Sequence, residues 1–378
     1  MKRKKILSWS LAMAISLLLC GGGIAYAKVT GVCSNCHTMH NSQGGEMLDI
    51  GGPSATLLKG GCVGCHSSST SSTTYSLDTS TVPVVNYTGA GAPAEYLSGG
   101  NFYWVAQSSG GDAKGHNVFG ISDQDDNILA SEGAPGDLSG CSPDSCHATL
   151  TVENAGVLAG PLYAAPGGCQ GCHLNVMHHA DDGTGDGTGN KYVGASPWYR
   201  FLSGHASGNN SGVAGIEHSG WGAFNEPSGG NTGGTDHNEY LGVPVGKTGT
   251  TTLANKSMTA FCSGCHGNFH VQQDSSGNWI RHPSDAVIPD EGEFYNISIE
   301  YDPRTPLARS ATALGLLGDT PSGYVDIGTD MVMCLSCHRS HGSGYDDMLR
   351  WDYSGMIAGG GTGTLTGKGC FYCHTDKD

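Results

Sequence analysis

Two cysteines three positions apart, with a histidine directly after the second, recur along this chain. The copies are Cys33/Cys36/His37, Cys62/Cys65/His66, Cys169/Cys172/His173, Cys262/Cys265/His266, Cys334/Cys337/His338 and Cys370/Cys373/His374. Cys141 and Cys146/His147 make a seventh copy, stretched by two residues. C-x-x-C-H is the pattern of covalent c-type haem attachment: two thiols add to the vinyl groups and the adjacent imidazole meets the iron. A zinc reading fails on the repetition of one spacing in a chain that carries an export signal. The sequence therefore predicts seven haem c groups, held through all fourteen of these cysteines.

Export follows from the first residues. Met1–Lys5 is a basic start, Ile6–Cys20 an apolar run too short for a membrane span, and Ala25-Tyr26-Ala27 a cleavage pattern. Residues 1–27 read as a signal peptide, and 28–378 as a single cytochrome domain with no membrane span. Cys20 leaves with the signal, so every remaining cysteine belongs to a haem motif and none is left for a disulfide. The mature chain keeps 14 Lys+Arg against 34 Asp+Glu. Such a surface excludes nucleic acid and anionic lipid as partners.

With 62 glycines and 14% charged residues, sustained apolar periodicity is scarce. The expected fold is mostly irregular coil with short α-helices and minor β, a multihaem cytochrome c fold organised around a stacked haem array. Long loops are expected at 67–140 and 180–254, with strand-like runs at Thr81–Val85 and Asn101–Ala106. Outside the motifs, Thr305 as cap, Pro306 in the first turn and Leu307–Leu317 predict a helix ended by Gly318.

The seven motif histidines, His37, His66, His147, His173, His266, His338 and His374, supply one axial ligand each. Ten others remain: His40, His116, His178, His179, His205, His218, His237, His270, His282 and His341. That is enough to fill the second position of every iron, which favours electron transfer over substrate chemistry. Two imidazoles on one iron approach from opposite faces, whereas residues three or four apart on a helical turn point the same way. His40, His270 and His341 are therefore predicted to serve a haem other than that of their own motif. Met39 and Met177 are the alternative ligands, or pack on porphyrin. Asp181, Asp182 and Asp186 lie in a glycine-rich acidic run that is either a Ca2+ site or a flexible loop.

Cys33–Ser42, Lys114-Gly-His-Asn117, Arg281-His-Pro283, Cys334–Met348 and Cys370–Asp378 resemble the OmcS-like family of extracellular, filament-forming multihaem cytochromes from metal-reducing bacteria. The resemblance covers both ends and leaves the middle weakly matched. It implies bis-histidine haems stacked along a head-to-tail homopolymer, a nanowire carrying electrons from the cell. Periplasmic or outer-membrane cytochromes would be donors, and metal oxides or other cells acceptors. It implies His116, His270, His282 and His341 as distal ligands. His40 then crosses the subunit boundary to the haem at Cys334/Cys337. The family's six sites become seven here, the extra one around Cys141–Cys172, and 318–333 lacks the histidine that the family carries there. His237, in His237-Asn-Glu-Tyr240, is chosen as the replacement, ahead of His205 and His218. His178 and His179 stay as alternatives. The chain is read as an electron-transfer protein and not an enzyme. A monomeric periplasmic shuttle is the runner-up. A reductase with one open iron ranks below it, because no C-x-x-C-K site is present.

Overall fold

The computed structural model describes residues 29–48, 57–107, 110–125, 150–151, 167–173, 176, 178–179, 199–202, 212–216, 237–245, 255–266, 282–295, 298–310, 323–359 and 369–377. Turns and extended segments dominate. Among the described residues the α-helices are α1 (Cys33–Cys36), α2 (Cys62–His66), α3 (Met258–Ser263) and α4 (Cys334–Cys337). α1, α2 and α4 coincide with Cys-x-x-Cys runs and are about one turn long, whereas the longer α3 leads into its motif and ends between Cys262 and Cys265. The N–H of His37, His173, His266, His338 and His374 donates to the carbonyl of its motif's first cysteine at 2.8–3.0 Å. That bond closes one turn and sets both sulfurs on one side. The chain then leaves in extended conformation, at φ −110° for His37 and −112° for His338. Among the described residues no helix is long and apolar enough to cross a membrane.

The largest sheet joins β7 (Gly215–Ile216), β8 (Glu239–Leu241), β9 (Ala286–Val287), β10 (Ala308–Arg309) and β11 (Met331–Val332), in the order β7-β8-β10-β11-β9. Its central strand overturns the helix expected from Leu307. Ala308 pairs parallel with Tyr240 and antiparallel with Met331. The reason is burial on all sides: Leu307, Ala308 and Arg309 are each at most 1% exposed. A helix over these residues would turn one of them to solvent and take Arg309 from its partners. Those are Glu239 at 3.1 Å and Asp330. Residues 311–317 lie outside the described set. Tyr199, Tyr240, Met258, Met331 and Met333 pack one apolar cluster beside this sheet; Ile288, Tyr301, Leu307 and Tyr372 pack another.

Part of the 67–140 stretch is ordered by the chain's other end. β4 (Thr74–Leu77) and β5 (Ser80–Pro83) form a hairpin. The run from Asn101 is a set of turns and not a strand. Asn101 Oδ1 accepts from the main-chain N–H of both Tyr87 and Tyr103, and Ala106 N–H donates back to Phe102. This segment docks on the residues after α4. His341 N–H donates to Gly99 O at 2.7 Å, Asn101 N–H to Gly342 O at 2.9 Å, and Ser343 N–H to Lys114 O at 2.9 Å. The approach requires glycine. At Gly100, φ is +93° and a Cβ would stand 2.1 Å from the Gly342 carbonyl oxygen.

Candidate metal centres: paired histidines

Five motif histidines each face a second histidine. Ring centres lie 6.1 Å apart for His37–His179, 6.2 Å for His66–His178, 6.2 Å for His173–His341, 6.0 Å for His266–His116 and 6.1 Å for His374–His282. These separations are too long for face-to-face stacking. The stack of His237 on Tyr301, at 4.0 Å, shows what contact looks like. A metal–imidazole nitrogen bond is about 2 Å and the ring centre lies about 1 Å behind it, so two rings across one ion stand about 6 Å apart. The five pairs have the spacing of axial ligands on opposite sides of an iron, and each motif's cysteines lie beside one member of its pair. The residues fit haem c.

Hydrogen bonding prepares several of these rings, and those of His237 and His338, in one way. The Nδ1–H of His66, His116, His173, His179, His237, His282 and His338 donates to a main-chain carbonyl at 2.6–3.3 Å. A carbonyl only accepts, so Nδ1 carries the proton and Nε2 keeps the lone pair that a metal needs. His374 Nδ1–H donates instead to the Glu293 carboxylate, at 3.0 Å. Partial burial, then the neighbouring His173, pushes His341 down to about 3; burial also lowers His173. Both rings are held neutral, the form that ligates.

Backbone contacts explain how distant residues arrive. The docked 97–116 segment presents His116, whose ring is anchored on Ser340 O at 2.6 Å. His341 faces His173 and not its own motif's His338. His178 and His179, read as alternatives, each face a different motif histidine. Side chains of sequence neighbours diverge, a signal that allows two irons for one dipeptide. His40 is exposed, with Met39 beside it 73% exposed. Among the described residues neither His40 nor His338 faces another histidine. His237 is fully buried on Tyr301, with its Nδ1 satisfied by Asn238 O. Cys141, Cys146, His147, Met177, Asp181, Asp182, Asp186, His205, His218 and His270 lie outside the described residues. Glu293 is the residue that motif spacing missed: it lies 81 positions from His374, and nothing local connects them.

The cysteines also report which motifs are neighbours. The sulfurs of Cys62 and Cys169 lie close to each other, as do those of Cys262 and Cys334. Cys36 lies within electrostatic reach of Cys65, Cys172 of Cys265, and Cys337 of both Cys370 and Cys373. The six described motifs thus follow one another in space in sequence order.

A family model described as a doubled CXXCH motif matches residues 328–378, which span the last two motifs. The C-type cytochrome OmcS of Geobacter sulfurreducens is 25% identical over 402 residues, covering 92% of this chain and 86% of its own. The chain is OmcS-like. Its repeated motif makes it a multihaem c-type cytochrome. Two solved structures are also similar. The outer membrane cytochrome S filament from Geobacter sulfurreducens is 20% identical, with TM-score 0.46, covering 87% of this chain and 85% of its own. The OmcS nanowires solved by cryo-EM are 21% identical, with TM-score 0.46, covering 86% and 84%.

Proposed function

We propose that this cytochrome carries electrons along a continuous file of bis-histidine haems, within an extracellular homopolymer. Haem c supplies one-electron redox chemistry when bound. The chain's part is to fill both axial positions, fix the ring orientations and keep successive sites close. The observation that carries the reading is the set of five histidine pairs at 6.0–6.2 Å. Filled axial positions leave no open iron for a substrate, which favours a conductor over a reductase.

The pairing also supports polymerisation. His40 lies next to the first motif and His338 belongs to the sixth. Among the described residues neither faces another histidine; His40 is exposed and His338 is half-buried. His40 of one protomer completing the site of His338 in the next gives a heterologous contact, which repeats as an open filament. The similarity to OmcS, solved as a filament and as nanowires, agrees with this assembly. Seven haems are assigned to the chain, the seventh at Cys141/Cys146/His147 with His237 as a candidate partner. Extracellular delivery to metal oxides or other cells, with periplasmic or outer-membrane cytochromes as donors, completes the reading.

The test is His40→Ala. The variant is expected to keep all its covalent haem, measured by mass spectrometry of the intact chain, and to form no filaments by electron microscopy. Filaments of normal length from this variant would remove the inter-subunit role. A monomeric parent protein by size exclusion would favour the shuttle instead.

A further inference from the structure

The histidine of the site at the end of the file differs from seven other described histidines in what holds its ring. The rings of His66, His116, His173, His179, His237, His282 and His338 lean on neutral main-chain carbonyls. His374 donates to a full negative charge, Oε1 of Glu293 at 3.0 Å. The second carboxylate oxygen accepts from Lys377 Nζ at 3.1 Å. Glu293 is set in place by the turn Gly292–Phe294, and Phe294 packs edge-on to the same imidazole, ring centres 5.6 Å apart.

We propose that Glu293 and Lys377 form a charge pair that sets the reduction potential of the terminal haem through His374. The proposal rests on the reading of His374 as an iron ligand given above. A carboxylate on Nδ1–H draws the proton towards itself and leaves more electron density on Nε2. A more electron-rich ligand favours the ferric state, so Glu293 lowers the potential. Lys377 withdraws charge from the same carboxylate and limits that effect. Glu293 is a positioning residue, acting on the ligand and not on the iron. Cys370 and Cys373 lie within electrostatic reach of Cys337, the motif before them. A depressed potential here places an uphill step at one end of the file, so electrons spend less time on this site than on its neighbour.

The experiment uses the full haem-loaded chain and two substitutions that push in opposite directions. Glu293→Gln keeps a hydrogen-bond acceptor and removes the charge. Lys377→Met keeps the carboxylate and removes its counter-charge. Potentiometric titration followed by EPR should show one low-spin component moving to higher potential in Glu293→Gln and to lower potential in Lys377→Met. The near-perpendicular rings of His282 and His374, at 84°, give that site a more anisotropic ferric signal than pairs at 15–50°. Curves superimposing on the parent would overturn the proposal, and so would both variants moving the same way, the mark of a structural disturbance. If the ligand reading itself is wrong, the parent lacks that anisotropic signal, or peptide mass spectrometry finds no haem on Cys370/Cys373. Either result is separable from a failure of the tuning.

Discussion

His116 shows what one residue contributes. It lies 150 positions before His266, yet their ring centres are 6.0 Å apart because Ser340 O holds the His116 ring and Gly115 lets the backbone close on His341. A Cβ at Gly115 would stand 2.4 Å from the His341 carbonyl oxygen. His116→Ala removes one axial ligand and leaves the other. One iron per chain is expected to become high-spin ferric, seen by EPR or resonance Raman, with covalent haem content unchanged; a fully low-spin spectrum would show that another residue holds that position. The motif histidines are legible in the sequence because attachment chemistry fixes their spacing to cysteine. The distal ones are legible only as a count. Which ring meets which depends on contacts such as His341 N–H to Gly99 O, which join segments more than 200 residues apart. Glu293 had no readable signal at all, since a lone carboxylate in a turn carries no spacing.

At the scale of elements, the one-turn helices follow from the motif itself: two cysteines three apart share a face only if the segment coils. β10 teaches the reverse. Leu307–Leu317 has good helix formers and a proper start, yet its first described residues are a central strand. Propensity is a weak prior, and a buried guanidinium with two carboxylates outweighs it. Arg309 is 1% exposed and lies over the Tyr301 ring, its carbon 4.7 Å from the ring centre, with Glu239 and Asp330 as its acid partners. Asp330 Oδ2 also accepts from Asp326 N–H at 2.7 Å. Removing one partner of a buried ion pair leaves an uncompensated charge, at a cost of about 3–5 kcal/mol. Asp330→Asn should destabilise the chain by that order in guanidinium unfolding followed by tryptophan fluorescence. A change within about 0.5 kcal/mol, the size of an ordinary surface substitution, would show that Glu239 alone neutralises Arg309.

At the scale of the molecule, the exposed apolar residues are not scattered evenly. Val32, Met39, Met47 and Leu57 are 42–73% exposed, and all surround His37 and His40. Backbone bonds bind them together: Thr38 N–H donates to Leu57 O, and β1 (Ser42–Gln43) pairs with β2 (Glu46–Met47). Tyr345, Tyr353 and Ile357, 38–69% exposed, occupy the segment that packs on His338, whose Nδ1–H donates to Asp347 O. Two apolar surfaces, each next to a histidine that faces no second histidine among the described residues, are what a head-to-tail joint needs. Opposing that joint is like charge: residues 28–378 carry 14 Lys+Arg against 34 Asp+Glu, and neighbouring protomers repel. Assembly is then a balance of apolar contact against repulsion, with opposite dependences. Salt shortens the screening length from about 30 Å at 0.01 M to about 8 Å at 0.15 M, which weakens repulsion and leaves apolar burial intact. Filament growth by light scattering should therefore rise with ionic strength over that range. Met39→Asp, which spoils the apolar surface and adds charge, should grow poorly at every ionic strength while keeping its covalent haem. Growth that falls as salt rises would mean that ion pairs, and not this apolar contact, hold the protomers together.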